Sequence, residues 1–173
     1  MLKHSSSQGL ADTPHRVWIR TAAGRDLESL TEYFEKLSEA SRYNRFMGGV
    51  GNFSRVAFDC LLYGRRAERF TLVAELRERS CDAIIGEASY AFDSESRCGE
   101  FAISVSDDWQ RRGLGSALLS AVQFRAVNLG FFNLFGETLK TNHQTKAFAR
   151  KAGFEFTRSP DWRAVRLDKK LIG

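Results

Sequence analysis

The segment Gln110-Arg111-Arg112-Gly113-Leu114-Gly115-Ser116 has the residue types and spacing to hold an anion. Upstream, Phe101-Ala102-Ile103-Ser104-Val105 is short, β-prone and free of Gly and Pro. Downstream, Leu114, Ala117, Leu118, Ala121 and Val122 recur at helical spacing, and Gly130 stands where a left-handed stop would sit. The segment therefore falls on a strand-to-helix turn. Its two glycines remove Cβ atoms where successive backbone N–H groups leave the start of a helix. Those unpaired amides, with the positive end of the helix dipole, attract negative charge, and Arg111 and Arg112 add more positive charge. The chemistry implied is the binding of a phosphorylated ligand.

Three phosphate loops have this general form. A Walker loop needs a Lys directly after its last glycine, and none follows here. A dinucleotide fingerprint needs a third glycine, where Leu118 stands, and an acidic residue about 20 positions on, where the chain has Asn133. The third form is Gln/Arg-x-x-Gly-x-Gly/Ala, which Gln110, Gly113 and Gly115 match in order. It is the pyrophosphate loop of acyl-CoA-dependent N-acetyltransferases. The chain resembles that GNAT superfamily beyond the loop. Asp107-Asp108-Trp109 before the loop and Leu118-Leu119 after it read like the family's central motif. Asn142 opens a segment ending Ala149-Arg150-Lys151-Ala152-Gly153-Phe154, which looks like its second CoA-facing helix and the strand after it. Leu37 to Phe46 is similar to an early helical segment of bacterial members, and the likeness covers roughly residues 16 to 171.

The resemblance implies a single-domain α/β GNAT fold. That is a mixed, twisted sheet with splayed central strands, flanked by helices, with acyl-CoA entering the wedge. It implies that backbone amides of Arg111, Arg112, Gly113, Leu114, Gly115 and Ser116, with Gln110, take the pyrophosphate. Asn142 would hydrogen-bond the pantetheine arm, Ile103, Val105 and Phe148 would also bind the cofactor, and Arg150 would reach outer phosphates. A backbone N–H near Val105 would hold the acyl oxygen. Moving an acetyl group to an amine also needs a proton acceptor. Glu100 leads, because it starts the strand before the loop, is flanked by Cys98 and Phe101, and resembles a family glutamate. Glu87 and Glu137 on the neighbouring strands follow. Many members carry a tyrosine four residues before the Gly-Phe as the general acid; this chain has Ala149. Tyr43 and Tyr90 are conceivable substitutes, though packing is their ordinary use.

The likeness to bacterial protein lysine acetyltransferases, including those that silence acyl-CoA synthetases, makes a protein lysine the favoured acceptor. A small-molecule amine and a weakly catalytic CoA-sensing module are the rival classes. The irregular stretch from Ser38 to Gly51, with Arg42, Tyr43, Arg45 and Phe46, would border the acceptor cleft and suit a partly acidic protein surface. A homodimer is compatible with these readings.

At 173 residues and 43% hydrophobic content, the chain has the length and apolar content of one domain. We read residues 1–14 as a tail and 15–173 as the domain. No run of 18 apolar residues occurs, so no spanning helix is expected. Cys60, Cys81 and Cys98 are odd in number and widely spaced, which suits reduced thiols of a cytoplasmic protein. The three histidines show no ligand-like spacing, so no metal is expected. The net charge of +5 fits a phosphate-bearing cofactor. Its dispersal, with no Lys/Arg run longer than two, argues against a nucleic-acid reader. The periodicities predict strands over 15–21, 70–76, 83–92, 98–105, 132–139, 154–157 and 164–169. Helices are predicted after an Asp26 N-cap, over 52–63, from Leu114, and over 145–152.

Overall fold

The computed structural model describes residues 16–63, 69–77, 82–93 and 98–171. The expected tail, the stop at Gly64, Cys81 and the charged turn between the second and third strands lie outside them. Seven strands form one sheet: β1 (Arg16–Thr21), β2 (Arg69–Arg77), β3 (Asp82–Asp93), β4 (Cys98–Val105), β5 (Asn133–Leu139), β6 (Glu155–Arg158) and β7 (Ala164–Lys170). Their order is β1-β2-β3-β4-β5-β7-β6, antiparallel throughout except for β4 beside β5. Five α-helices pack on it: α1 (Leu27–Lys36), α2 (Glu39–Phe46), α3 (Phe53–Tyr63), α4 (Leu114–Asn128) and α5 (His143–Lys151). The expected single α/β layer structure with a mixed sheet is what forms.

Each face of the sheet buries its own cluster. On one, α4 sets Leu114, Leu118, Leu119 and Val122 against Leu72, Ala88 and Phe101 of the strands. On the other, Leu30, Tyr33 and Phe34 of α1 meet Ala57 of α3 and Val73. Gly130 and Gly153 end α4 and α5 at φ of +83° and +80°, Gly130 as the left-handed stop its position suggested.

Two local expectations are corrected. Asp26 stands at the N-cap position of α1, but its side chain makes no capping hydrogen bond there. Its carboxylate accepts from the Ala23 amide at 2.7 Å and from both terminal nitrogens of Arg20 at 2.7 and 2.8 Å, so it serves β1 instead. The stretch from Ser38, read as irregular from its glycines, is not wholly so: α2 occupies Glu39–Phe46, as the likeness of Leu37 to Phe46 to an early helical segment implied. Ser38 caps it by accepting from the Ser41 amide at 3.2 Å. None of its residues is fully buried.

The central pair β4–β5 is the consequential feature. The two strands pair only at Gly99 with Leu134 and Glu100 with Phe135, and then part. Gly136 permits the close approach at this closed end. A Cβ there would stand 2.9 Å from the Phe101 ring and 3.0 Å from its carbonyl oxygen. Beyond it, the β4 backbone is left without a strand partner on that side.

Candidate active site

The divergence opens a cleft of about 470 Å³. Its β4 wall runs from Phe101 to Val105 and its β5 wall from Gly136 to Thr138; α2 contributes Ser41, Asn44 and Arg45. The phosphate loop and α5 close the opposite side.

Hydrogen bonding along β4 shows which groups face the opening. The Ser106 amide donates to Ile85 O on β3 at 2.9 Å, and in an antiparallel ladder the bonded residues alternate. Ser104 and Ala102 therefore direct their backbone groups to β3, while Val105 and Ile103 direct theirs into the cleft. An oxygen in the cleft can thus accept from the Val105 N–H. The side chains alternate as well. Phe101, Ile103 and Val105 join the cluster under α4, whereas Ser104 meets Tyr33 of α1. Glu100, Ala102 and Ser104 share this second face, and Phe135, paired with Glu100, puts Glu137 on it too.

The phosphate loop follows a short 3-10 turn, Asp107–Trp109. Gly113 sits at φ +86° as the residue before α4, and no side chain caps the helix there. Arg111 is also left-handed at φ +59°, a conformation few side chains adopt outside strained functional turns. A Cβ on Gly113 would meet nothing within 4 Å, and one on Gly115 would have Phe148 and Val105 at 4.0 Å. The space above both glycines thus belongs to the cleft. The first amides of α4 have no acceptor within their helix. An open helix start with glycines and a lining arginine fits the diphosphate of CoA, and the adjoining apolar walls of Ile103, Val105 and Phe148 fit its arm.

Of the residues singled out in the sequence, Ile103, Val105, Gln110, Arg111, Gly113, Gly115, Ser116, Asn142 and Phe148 line the cleft. Arg112 does not; its guanidinium lies 5.2 Å over the Trp109 ring. The Leu114 side chain is buried in the core, leaving only its amide at the helix start. Arg150 also lies outside the lining, 4.8 Å over Phe156. The Asn142 carboxamide oxygen accepts from the Thr145 amide at 3.0 Å, capping α5, with its N–H groups still available. Gln110 turns its side chain sideways, donating to Ser41 Oγ at 3.1 Å and Val105 O at 3.2 Å.

The three carboxylates part company. Glu87 is fully buried, with Arg45 Nε on its Oε1 at 2.5 Å and the hydroxyls of Ser104 and Ser89 donating at 3.0 and 2.9 Å. It does not line the cleft. Glu100 does not line it either; its side chain is exposed at the closed end, one alternation before the lining residue Ala102. Glu137, the third candidate by sequence, is the carboxylate among the lining residues of β5. Arg45 and Phe46 are not surface groups for a partner. The first is 12% exposed in its ion pair and the second packs edge-on to Phe34 at 5.4 Å. Tyr90 packs between Phe70 and Phe131 at 4.9 and 6.1 Å, outside the cleft. Ala149 lines the cleft and offers no acid.

Sequence reasoning missed a cluster at the near end of α2. Asp107 accepts from the Ser38 amide at 3.0 Å and from the hydroxyls of Ser38 and Ser41, both at 2.7 Å. Burial pushes its carboxyl up, but these hydrogen bonds outweigh that and hold it below the usual carboxylate range. The polar residues of Ser38-Glu39-Ala40-Ser41 were its only signal. The Cys60 thiol is pushed up to about 11 by burial and the nearby Glu87 charge. Among the described residues no group of His, Cys, Asp and Glu is arranged to hold a metal.

Comparison with known proteins agrees with this geometry. Residues 28–154 match the acetyltransferase (GNAT) family. The chain is 27% identical to a Pseudomonas aeruginosa acetyltransferase over 150 residues, covering 87% of this chain and 81% of that one. It superposes on the GNAT domain of S. lividans PAT with a TM-score of 0.80, at 24% identity over 92% of this chain and 96% of that one. The PaiA N-acetyltransferase of Thermoplasma acidophilum, solved with coenzyme A, gives a TM-score of 0.71 at 16% identity, covering 90% and 99%. These two likenesses carry the fold, and the family match, spanning more than half of the chain, carries the membership. The chain belongs to the GNAT family of acetyltransferases, enzymes that use acetyl-CoA.

Proposed function

We propose that this acetyltransferase moves the acetyl group of acetyl-CoA directly to a protein lysine side chain in a ternary complex. The observation that carries the reading is the cleft itself. It has an acceptor-free Val105 amide on one wall and a carboxylate face, with Glu137 and Glu100, beside it. Acetyl-CoA supplies an acyl carbon activated as a thioester. The amides around Gly113 and Gly115 bind its phosphates and the Asn142 carboxamide donates to its arm. The Val105 N–H stabilises charge developing on the acyl oxygen. A carboxylate, directly or through a water, takes one proton from the lysine ammonium. The freed nitrogen bonds to the acyl carbon as the carbon–sulfur bond breaks. The departing sulfur leaves as thiolate, for which Ala149 supplies no side-chain acid. Direct transfer is supported by the thiols. Cys60 is held protonated by burial, and neither of the two cysteines among the described residues, Cys60 and Cys98, lines the cleft.

A protein acceptor is supported by the rim. Tyr43 on α2, one residue before the lining residue Asn44, is 45% exposed, and Trp162 in the turn before β7 is 80% exposed. Exposed aromatic groups of this kind suit a protein surface around the target amine. The test offers acetyl-CoA with folded acyl-CoA synthetases, other proteins, spermidine and free lysine, and reads acetyl-lysine by mass spectrometry. Protein acetylation well above the uncatalysed background, weakened by salt, is expected. Efficient turnover of a small amine with no protein modified would replace the reading with a small-molecule enzyme. No turnover with any acceptor would leave a CoA-binding module.

A further inference from the structure

Helix α2 carries Ser41, Asn44 and Arg45 into the cleft, yet it buries none of its residues fully. Something other than a deep apolar face must fix it. At its far end the Arg45–Glu87 pair and Phe46 do so. At its near end the fastening comes from the phosphate-loop side. The Asp107 carboxylate takes three hydrogen bonds, from Ser38 N, Ser38 Oγ and Ser41 Oγ. Gln110 donates to the same Ser41 oxygen and to Val105 O, while Gln144 of α5 donates to Gln110 Oε1 at 3.3 Å. Ser38, Ser41, Asp107, Gln110 and Gln144 all line the cleft. The turn that receives the diphosphate, the helix that borders the other side of the cleft, and β4 between them thus share one polar junction.

We infer that Asp107 is a positioning residue that couples acyl-CoA binding on the loop to the placement of α2, and so to acceptor affinity. The inference rests on the reading of the loop as the CoA site. Any ligand that orders Gln110 and the turn around it favours the arrangement in which Ser38 and Ser41 are held. By linkage, an acceptor that needs α2 in place then binds CoA-loaded enzyme better, and the same factor strengthens CoA binding when the acceptor is present. An α2 fastened only to the sheet would show no such dependence.

Hydrogen exchange of the α2 amides, with CoA itself as the probe, tests this without a known acceptor. Saturating CoA is expected to slow exchange over residues 39–46 of the wild-type protein by about fivefold or more. In Asp107→Ala the slowing should vanish, while CoA affinity measured calorimetrically stays within about threefold and α4 keeps its protection. With a protein acceptor in hand, the variant should raise the acceptor KM about tenfold with little change in kcat. Ser41→Ala, which removes only the shared hydroxyl, should give the same effect in smaller measure, and it serves if Asp107→Ala does not fold. CoA bound by the wild type with no change in α2 exchange would overturn the coupling alone. Unchanged slowing in both variants would do the same, as would a CoA affinity lost in step with the slowing. Failure of the wild type to bind CoA would instead overturn the functional reading beneath it.

Discussion

Gly113 is a glycine for two separable reasons. Its φ of +86° disfavours any side chain, and the space where a Cβ would stand is free of protein atoms. Gly113→Val should therefore strain the turn and put branches where the diphosphate approaches. CoA affinity should fall by at least about tenfold with circular dichroism unchanged, and calorimetry checks it. For the proposed reaction, two residues are candidates for the proton acceptor. Glu137 lines the cleft and Glu100 stands exposed on the same face. Glutamine at the acting position should lower kcat about 10²-fold or more, leave CoA affinity unchanged and remove the carboxylate limb of the pH–rate profile. Glutamine at the other should leave rate and profile alone. Full activity in both variants would pass the role to solvent.

Helix α5 shows how one side chain serves an element and the site together. Asn142 accepts from Thr145 N through its oxygen, and in the proposed function its amide hydrogens serve the pantetheine arm. Asn142→Ala should lose both functions, destabilising the protein by about 1 kcal/mol in denaturant unfolding and weakening CoA binding. Asn142→Ser should restore the cap and the stability but not the CoA affinity. Equal CoA affinity in the two variants and the wild type would make Asn142 a cap only. Elements marked by local signals are legible in the sequence: α4 by its glycine-bounded apolar run, and β4 by an alternation that follows directly from burial. Helix α2 was suggested by the family likeness of Leu37 to Phe46, but its fastening was not legible, being polar and remote: Ser38 and Ser41 meet Asp107 some 66 to 69 residues away.

Across the whole molecule, Arg20 bridges Asp26 and Glu75, tying β1 to β2 and to the start of α1. Hydrogen bonds from Arg20 and Arg77 hold the Glu75 carboxyl low despite burial. Burial pushes Asp26 up, but Arg20 and the Ala23 amide outweigh it. Both native carboxyls are thus depressed. Their stabilisation is present in full above the unfolded pKa, near 4, and is lost as pH falls through the lower native values. The melting temperature should hold between about pH 7 and 5 and drop below about pH 4. Arg20→Leu should melt lower at neutral pH and show a shallower acid dependence. A parallel acid curve would exclude the cluster as its source. By itself the sequence determined the glycine-bearing strand-to-helix turn, the layered α/β class and most of the elements, because those rest on local spacing, glycine conformation and periodic burial. The tertiary structure decided the rest. The splay of β4 from β5, the face that Glu137 shares with Ala102, and the withdrawal of Glu87 into an ion pair with Arg45 all join residues far apart in the chain. A carboxylate reads the same in sequence whether it lines a cleft or is sealed behind one; only packing, which assigns it a partner and a degree of burial, tells the two apart.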